Sequence, residues 1–157
     1  LPQAIADGSN MEARRKLAMA SNIAGYLLVC AHTNAGHSIG QTLGGYFNIP
    51  HGMACAYAEP WVMEFNAVAW PDKIKRIGVA LGVAYTGQET PEEIGAAVRT
   101  AFITFRDELC RLPSIEQFHC DPKLFEEVAE VCAKEFFQQF NPRTMTKDDC
   151  LELLKKL

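Results

Sequence analysis

Apolar residues along this chain recur at three- and four-residue steps and nowhere alternate convincingly with period two, a pattern that predicts helices and no sheet. Between 91 and 110, Ile94, Val98, Ala101, Phe102 and Phe105 form such a stripe, a face directed at a core. Helix starts are marked as clearly as helix interiors. Ser9 with Glu12, Thr90 with Glu93, Ser114 with Gln117 and Thr146 with Asp149 each place a capping residue three positions before a side chain able to reach back. Pro91 and Pro122 follow Thr90 and Asp121, at the first helical position, where a missing N–H costs nothing. These signals predict helices near 10–31, 36–47, 52–66, 72–82, 91–110, 114–118, 122–139 and 146–156, hence an all-α, multi-helix domain. The turns at Asn48-Ile49-Pro50, Trp70-Pro71-Asp72 and Gly87-Gln88-Glu89 are short, and no internal repeat or low-complexity tract interrupts them. Residues 1–8 read as a severed connector and 9–157 as one helical domain.

Composition narrows the class. The 157 residues are 48% hydrophobic and 22% charged, which is ordinary globular usage; chains of this size bury roughly 70% of their unfolded surface. A net charge of -4 argues against nucleic acid, which needs a basic face. No apolar run reaches the roughly 20 residues that span a bilayer, and no basic-then-apolar leader opens the chain. The expectation is a cytoplasmic protein without a membrane partner. The six cysteines, at 30, 55, 110, 120, 132 and 150, form no C-x-x-C pair and read as reduced, mostly packed thiols.

Candidate chemistry concentrates in residues 34–66. Gly36, Gly40 and Gly44 recur every four residues inside a helical stretch, where each glycine costs about 1 kcal/mol against alanine. Such a stripe admits the close approach of another backbone or of a ligand. His37 and Gln41 project from one face of that helix. His51 opens the next helix, fourteen positions after His37 and just beyond Pro50. A helix, a tight turn and a second helix can bring two imidazoles onto one ion, and neutral imidazole suits iron, zinc or nickel. Two histidines are nevertheless an incomplete catalytic set, which has at least three protein ligands; by spacing alone they more often serve as a cap or a buried hydrogen-bonding group. His32, near a helix end, reads as structural. Glu59 could reach a pocket but reads first as a solvated or helix-paired carboxylate, and Glu116 with His119 lies in a short polar segment far along the chain. No G-x-G-x-x-G or G-x-x-x-x-G-K-[ST] motif is present.

The segment His37 … Leu43-Gly44-Gly45-Tyr46-Phe47-Asn48-Ile49-Pro50-His51-Gly52, followed by Pro60 and Phe65-Asn66, resembles the signature of the iron-containing, or group III, alcohol dehydrogenases. Arg14, Met19, Ala20, Ser21, Ala24 and Gly25 fit an upstream helix of that family, and Asn141-Pro142-Arg143 fits its C-terminal tail, so the resemblance spans nearly the whole chain. It implies the family's C-terminal helical domain, with His37 and His51 as two of four metal ligands for Fe2+ or Zn2+. The other two, an aspartate and a histidine, are expected upstream of Leu1, as is an N-terminal nucleotide-binding domain for NAD or NADP. The metal then works as a Lewis acid on a small aldehyde or alcohol during hydride transfer. The resemblance places Gln41, where many relatives carry histidine, near the nicotinamide or substrate, and Leu28 and Phe137 in the substrate pocket. It further implies that the isolated chain binds iron weakly or not at all and is inactive. A face left by the other half is expected to drive homo-oligomer formation. Two other readings stay open: a non-catalytic oligomerisation or regulatory module of the same fold, and a metal-dependent lyase similar to dehydroquinate synthase. Against the lyase, Met53 follows Gly52 where the synthase has glutamate.

Overall fold

A computed structural model describes residues 1–157, all of them in helices, turns and irregular segments, with no strand. The chain divides into two compact units, Leu1–Thr33 and Asn34–Leu157.

The first unit holds a single helical turn, α1 (Pro2–Ala6), inside the stretch read as a connector, and the long helix α2 (Met11–Cys30). The cap of α2 is Asn10, not Ser9. The Asn10 side chain accepts from the Ala13 N–H at 3.0 Å, while Ser9 turns away and donates its hydroxyl to Asp7 at 2.6 Å. Asparagine caps at least as well as serine, and it stands one residue nearer the orphan N–H groups. Asp7, accepting from both the hydroxyl and the N–H of Ser9, holds its proton less readily than an ordinary aspartate.

The second unit carries α3 (Ala35–Phe47), α4 (His51–Asn66), α5 (Pro71–Ala80), α6 (Pro91–Thr104), α7 (Phe125–Lys134) and α8 (Lys147–Leu154). Its main core lies where α3 and α4 meet α7 and α8, around Ile39, Leu43, Val62, Val128 and Leu154. A second cluster, with Met63, Ile74, Ile94 and Val98, joins α4 to α5 and α6, as the stripe in the 91–110 segment predicts. The capping boxes at Thr90–Glu93 and Thr146–Asp149 are both closed. Ser114 caps only a 3-10 turn, through the Glu116 N–H, without a reciprocal bond from Gln117.

Two predicted helices differ from the observed ones. The 91–110 helix widens after Thr104 into a π-helical turn, Phe105–Leu109. The 122–139 helix is three pieces: a 3-10 turn at Pro122–Leu124, α7, and a second 3-10 turn at Phe136–Phe140. Glu135 makes the break. Its backbone is extended, and its carboxylate accepts from the Phe137 N–H at 2.9 Å and the Ser38 hydroxyl at 2.8 Å. A contact to a residue on α3 therefore overrides the local helical preference. Cys132 and Cys150 are buried thiols, and burial pushes them up to about 11 and about 12. No cysteine is disulfide-bonded.

Candidate metal centre

The corner between α3 and α4 is built from local backbone preferences. Asn48 ends α3 in the left-handed region, at φ 54°, a conformation asparagine tolerates better than most side chains. Ile49 plugs into the core, and Pro50 precedes the first turn of α4. The other end of α3 is tied down twice. Asn34 caps it through the Gly36 N–H at 3.0 Å, and Asn141 accepts from the Ala35 N–H at 3.4 Å. Asn141 and buried Asn66 exchange two side-chain bonds, at 2.9 and 2.8 Å, so the C-terminal tail locks the start of α3 to the end of α4.

Between these fixed ends the two helices lie unusually close. A Cβ at Gly36 would sit inside the Glu59 carboxylate, and one at Gly40 would lie 2.5 Å from Cys55 Sγ and 2.9 Å from its backbone nitrogen. A Cβ at Gly44 would lie 3.2 Å from the Ile49 carbonyl oxygen. The glycine stripe thus receives α4, which resolves the choice between backbone and ligand at Gly36 and Gly40 in favour of helix packing.

This packing brings His37 and His51 together. Their ring centroids are 4.6 Å apart with planes 71° from parallel. Phe137 meets the His37 ring edge-on, also at 4.6 Å. His37 is partly buried and His51 exposed, so the pair opens outward. Burial, followed by the neighbouring His51, holds His37 below the usual imidazole range; Glu135 opposes the shift. Neutral His37 is the form that ligates. Cys55, one turn after His51 on α4, completes the cluster with Sγ 3.6 Å from His51 Nε2. One donor atom from each of the three residues falls within 4.8 Å of the others.

Gln41 stands exposed on α3, one turn beyond His37. Leu28 belongs to the first unit, near the end of α2. Glu116 and His119 lie on and just after a 3-10 turn, outside the cluster, and His32 follows α2 with a positive φ of 60°. Glu59 is not solvated. It is partly buried against Gly36, no ion pair or hydrogen bond reaches it, and burial raises its carboxyl to about 7.

Sequence reasoning read Cys55 as a packed thiol and Glu59 as a solvated or helix-paired carboxylate, and joined neither to the histidine pair. The signal was present: His51, Cys55 and Glu59 follow one another at four-residue steps, which places all three on the face of α4 that meets the glycines.

Comparison with known proteins supplies the family. The family model for the Fe-containing alcohol dehydrogenase family, C-terminal, matches residues 1–157. A choline dehydrogenase of Bacillus subtilis (strain 168) is 30% identical over 147 residues, which cover 94% of this chain and 36% of that protein. An NAD-dependent methanol dehydrogenase of Bacillus methanolicus is 29% identical, over 99% of this chain and 40% of its own length. A crystal structure of 1,3-propanediol oxidoreductase superposes with a TM-score of 0.87 at 26% identity, covering 99% of this chain and 40% of that one. The chain thus spans about two fifths of the length of these relatives. No helix is long and apolar enough to cross a membrane. The chain belongs to the iron-containing alcohol dehydrogenase family, of which it is the C-terminal domain.

Proposed function

We propose that this chain supplies the metal-holding and substrate-facing half of an NAD(P)-dependent alcohol dehydrogenase, with His37 and His51 ligating one divalent cation. One observation carries the reading: two imidazoles, fourteen positions apart in sequence, meet at 4.6 Å across a rigid helix corner open on one side. Neutral imidazole nitrogen fits iron or zinc. When bound, such a cation supplies Lewis-acid polarisation of the oxygen of a small aldehyde or alcohol, with NAD or NADP as the hydride carrier.

The chain's own residues do the positioning. The capped α3 and the Asn66–Asn141 lock hold the imidazoles at a fixed separation, so little order has to be created on binding. Phe137 packs its ring edge-on to His37, setting the orientation of the imidazole and giving the cleft an apolar wall suited to an aliphatic substrate. The assignment of Leu28 to the substrate pocket rests on the family resemblance alone. Two imidazoles alone hold a cation weakly, so the purified 157-residue chain is expected to bind Zn2+ only weakly, and His37→Ala and His51→Ala each to weaken that binding further, by roughly tenfold or more. Calorimetric titration checks this. Equal affinity in the wild type and both variants would remove the two histidines from the site.

Gln41 is assigned to the nicotinamide or substrate side of the cleft. Glutamine can donate and accept hydrogen bonds there but does not titrate near neutral pH. In the enzyme that contains this chain, Gln41→His is expected to introduce an inflection near about pH 6.5 in the pH–rate profile. Superimposable profiles would exclude a proton-carrying role for this position.

A further inference from the structure

Glu135 is a carboxylate beside the histidine pair that the proposed chemistry leaves without a task. One of its oxygens, Oε2, accepts two hydrogen bonds, from the Ser38 hydroxyl at 2.8 Å and from the Phe137 N–H at 2.9 Å. Both donors border the same contact. Ser38 is fully buried and follows His37 on α3, while Phe137 lies edge-on to the His37 ring with centroids 4.6 Å apart. His37 and Ser38 on one side, and Phe137 and Glu135 on the other, thus close a small ring of contacts between α3 and the segment after α7. A ligating histidine ordinarily donates its second ring N–H to a carboxylate or a carbonyl, which fixes the rotation of the imidazole. No residue of this chain hydrogen-bonds the His37 ring; its aromatic neighbours, Phe137 and His51, hold it instead.

We propose that Glu135 is a positioning residue for His37: by accepting from Ser38 and Phe137 with one oxygen, it seats Phe137 against the imidazole and so sets the rotation in which His37 meets the metal. The inference rests on the histidine reading above and adds no ligand to it. Glu135 does two separable things. As an acceptor it ties the start of the Phe136–Phe140 turn to α3. As an anion it also acts on His37, opposing the effects of burial and of His51. Glutamine separates the two, because its amide oxygen can accept the same pair of bonds while the charge is gone. Ser38 separates positioning from simple capping. A residue that only caps the turn needs the Phe137 N–H and nothing from α3. A residue that places Phe137 against His37 needs the Ser38 bond as well.

The Phe137 ring current makes the test visible without metal. Proton NMR of the 157-residue chain at about pH 8, where the imidazole is neutral, reads the two carbon-bound ring protons of His37. Phe137→Leu calibrates the displacement that the phenyl ring causes. Glu135→Ala and Ser38→Ala are each expected to lose about half or more of that displacement, with the helical circular dichroism of the wild type retained. Glu135→Gln should restore it. Zn2+ titrations should follow the same order, with Glu135→Ala binding roughly tenfold more weakly than wild type and Glu135→Gln close to it. A folded Glu135→Ala chain with wild-type His37 resonances would overturn the proposal. So would a Glu135→Gln chain that loses as much as Glu135→Ala, since charge and not hydrogen bonding would then be at work. If Glu135→Ala does not fold, Ser38→Ala decides alone: unmoved His37 resonances reduce Glu135 to a cap. A wild type that binds no Zn2+ would sink the histidine reading, whereas the metal-free resonances judge the hold on His37 by themselves.

Discussion

Glu59→Gln is expected to stabilise the chain by up to roughly 3 kcal/mol at about pH 8 and to change its stability little at about pH 4. The cause is burial without compensation. Glu59 lies against the Cα of Gly36, no cation or donor reaches its carboxylate, and its carboxyl is raised from the ordinary 4.5 to about 7. A carboxyl that binds its proton more tightly when folded favours the folded state at low pH. Below about pH 4.5 the group is protonated folded and unfolded alike, and it contributes no penalty. As pH rises toward 7 the unfolded chain ionises freely while the folded chain resists, so stability falls through this window. Above about pH 7 the folded chain carries the full cost of a desolvated charge. Glutamine has nearly the same shape and no charge, so its curve should be flat across the window. Urea denaturation at both pH values, with chelator present so that metal linkage does not enter, checks the claim. Parallel wild-type and variant curves would show that Glu59 is hydrated in the folded state.

Glu59 also marks the limit of what could be read from the residues. Helix positions came through well because their signals are local. Thr90–Glu93 and Thr146–Asp149 close as capping boxes, and Pro50 sits at the start of α4, all within a few residues of the feature they decide. Glu135 was illegible for the opposite reason. It breaks the 122–139 helix by accepting from Ser38, and nothing in its own neighbourhood announces a bond to α3. At the corner between α3 and α4, spacing offered His37 and His51 as a possible pair, and family resemblance chose between ligand and cap. Cys55 and Glu59 needed a further fact, namely which face of α4 meets the glycines. Periodicity put them on one face with His51, but only the packing of α3 against α4 shows that this face is an interior one.

That packing leads to the second large effect. Gly40→Ala is expected to destabilise the chain by about 2 kcal/mol, although alanine is the better helix former. Propensity alone would favour alanine by about 1 kcal/mol. Overpacking a fitted interface costs about 1–3 kcal/mol, and more where nothing can move aside. Here the added methyl would lie 2.5 Å from Cys55 Sγ, 2.9 Å from Cys55 N and 3.0 Å from Cys55 Cα. The sulfur could rotate away; the two backbone atoms cannot, short of moving α4. Two consequences separate this account from a simple propensity effect. Gly45→Ala, on the exposed side of the same helix with nothing within 4 Å of its Cβ, should instead stabilise by up to about 1 kcal/mol. Combining Gly40→Ala with Cys55→Ala should recover little of the loss, because the backbone clash persists after the sulfur is gone. Because the displaced helix carries His51, the Gly40 variant should also hold zinc more weakly at temperatures where it remains folded. Thermal melts and zinc titrations of the four proteins decide the matter: a Gly40→Ala variant as stable as Gly45→Ala would mean that α3 and α4 are not in contact along this stripe, and the pairing of the two histidines would lose its support.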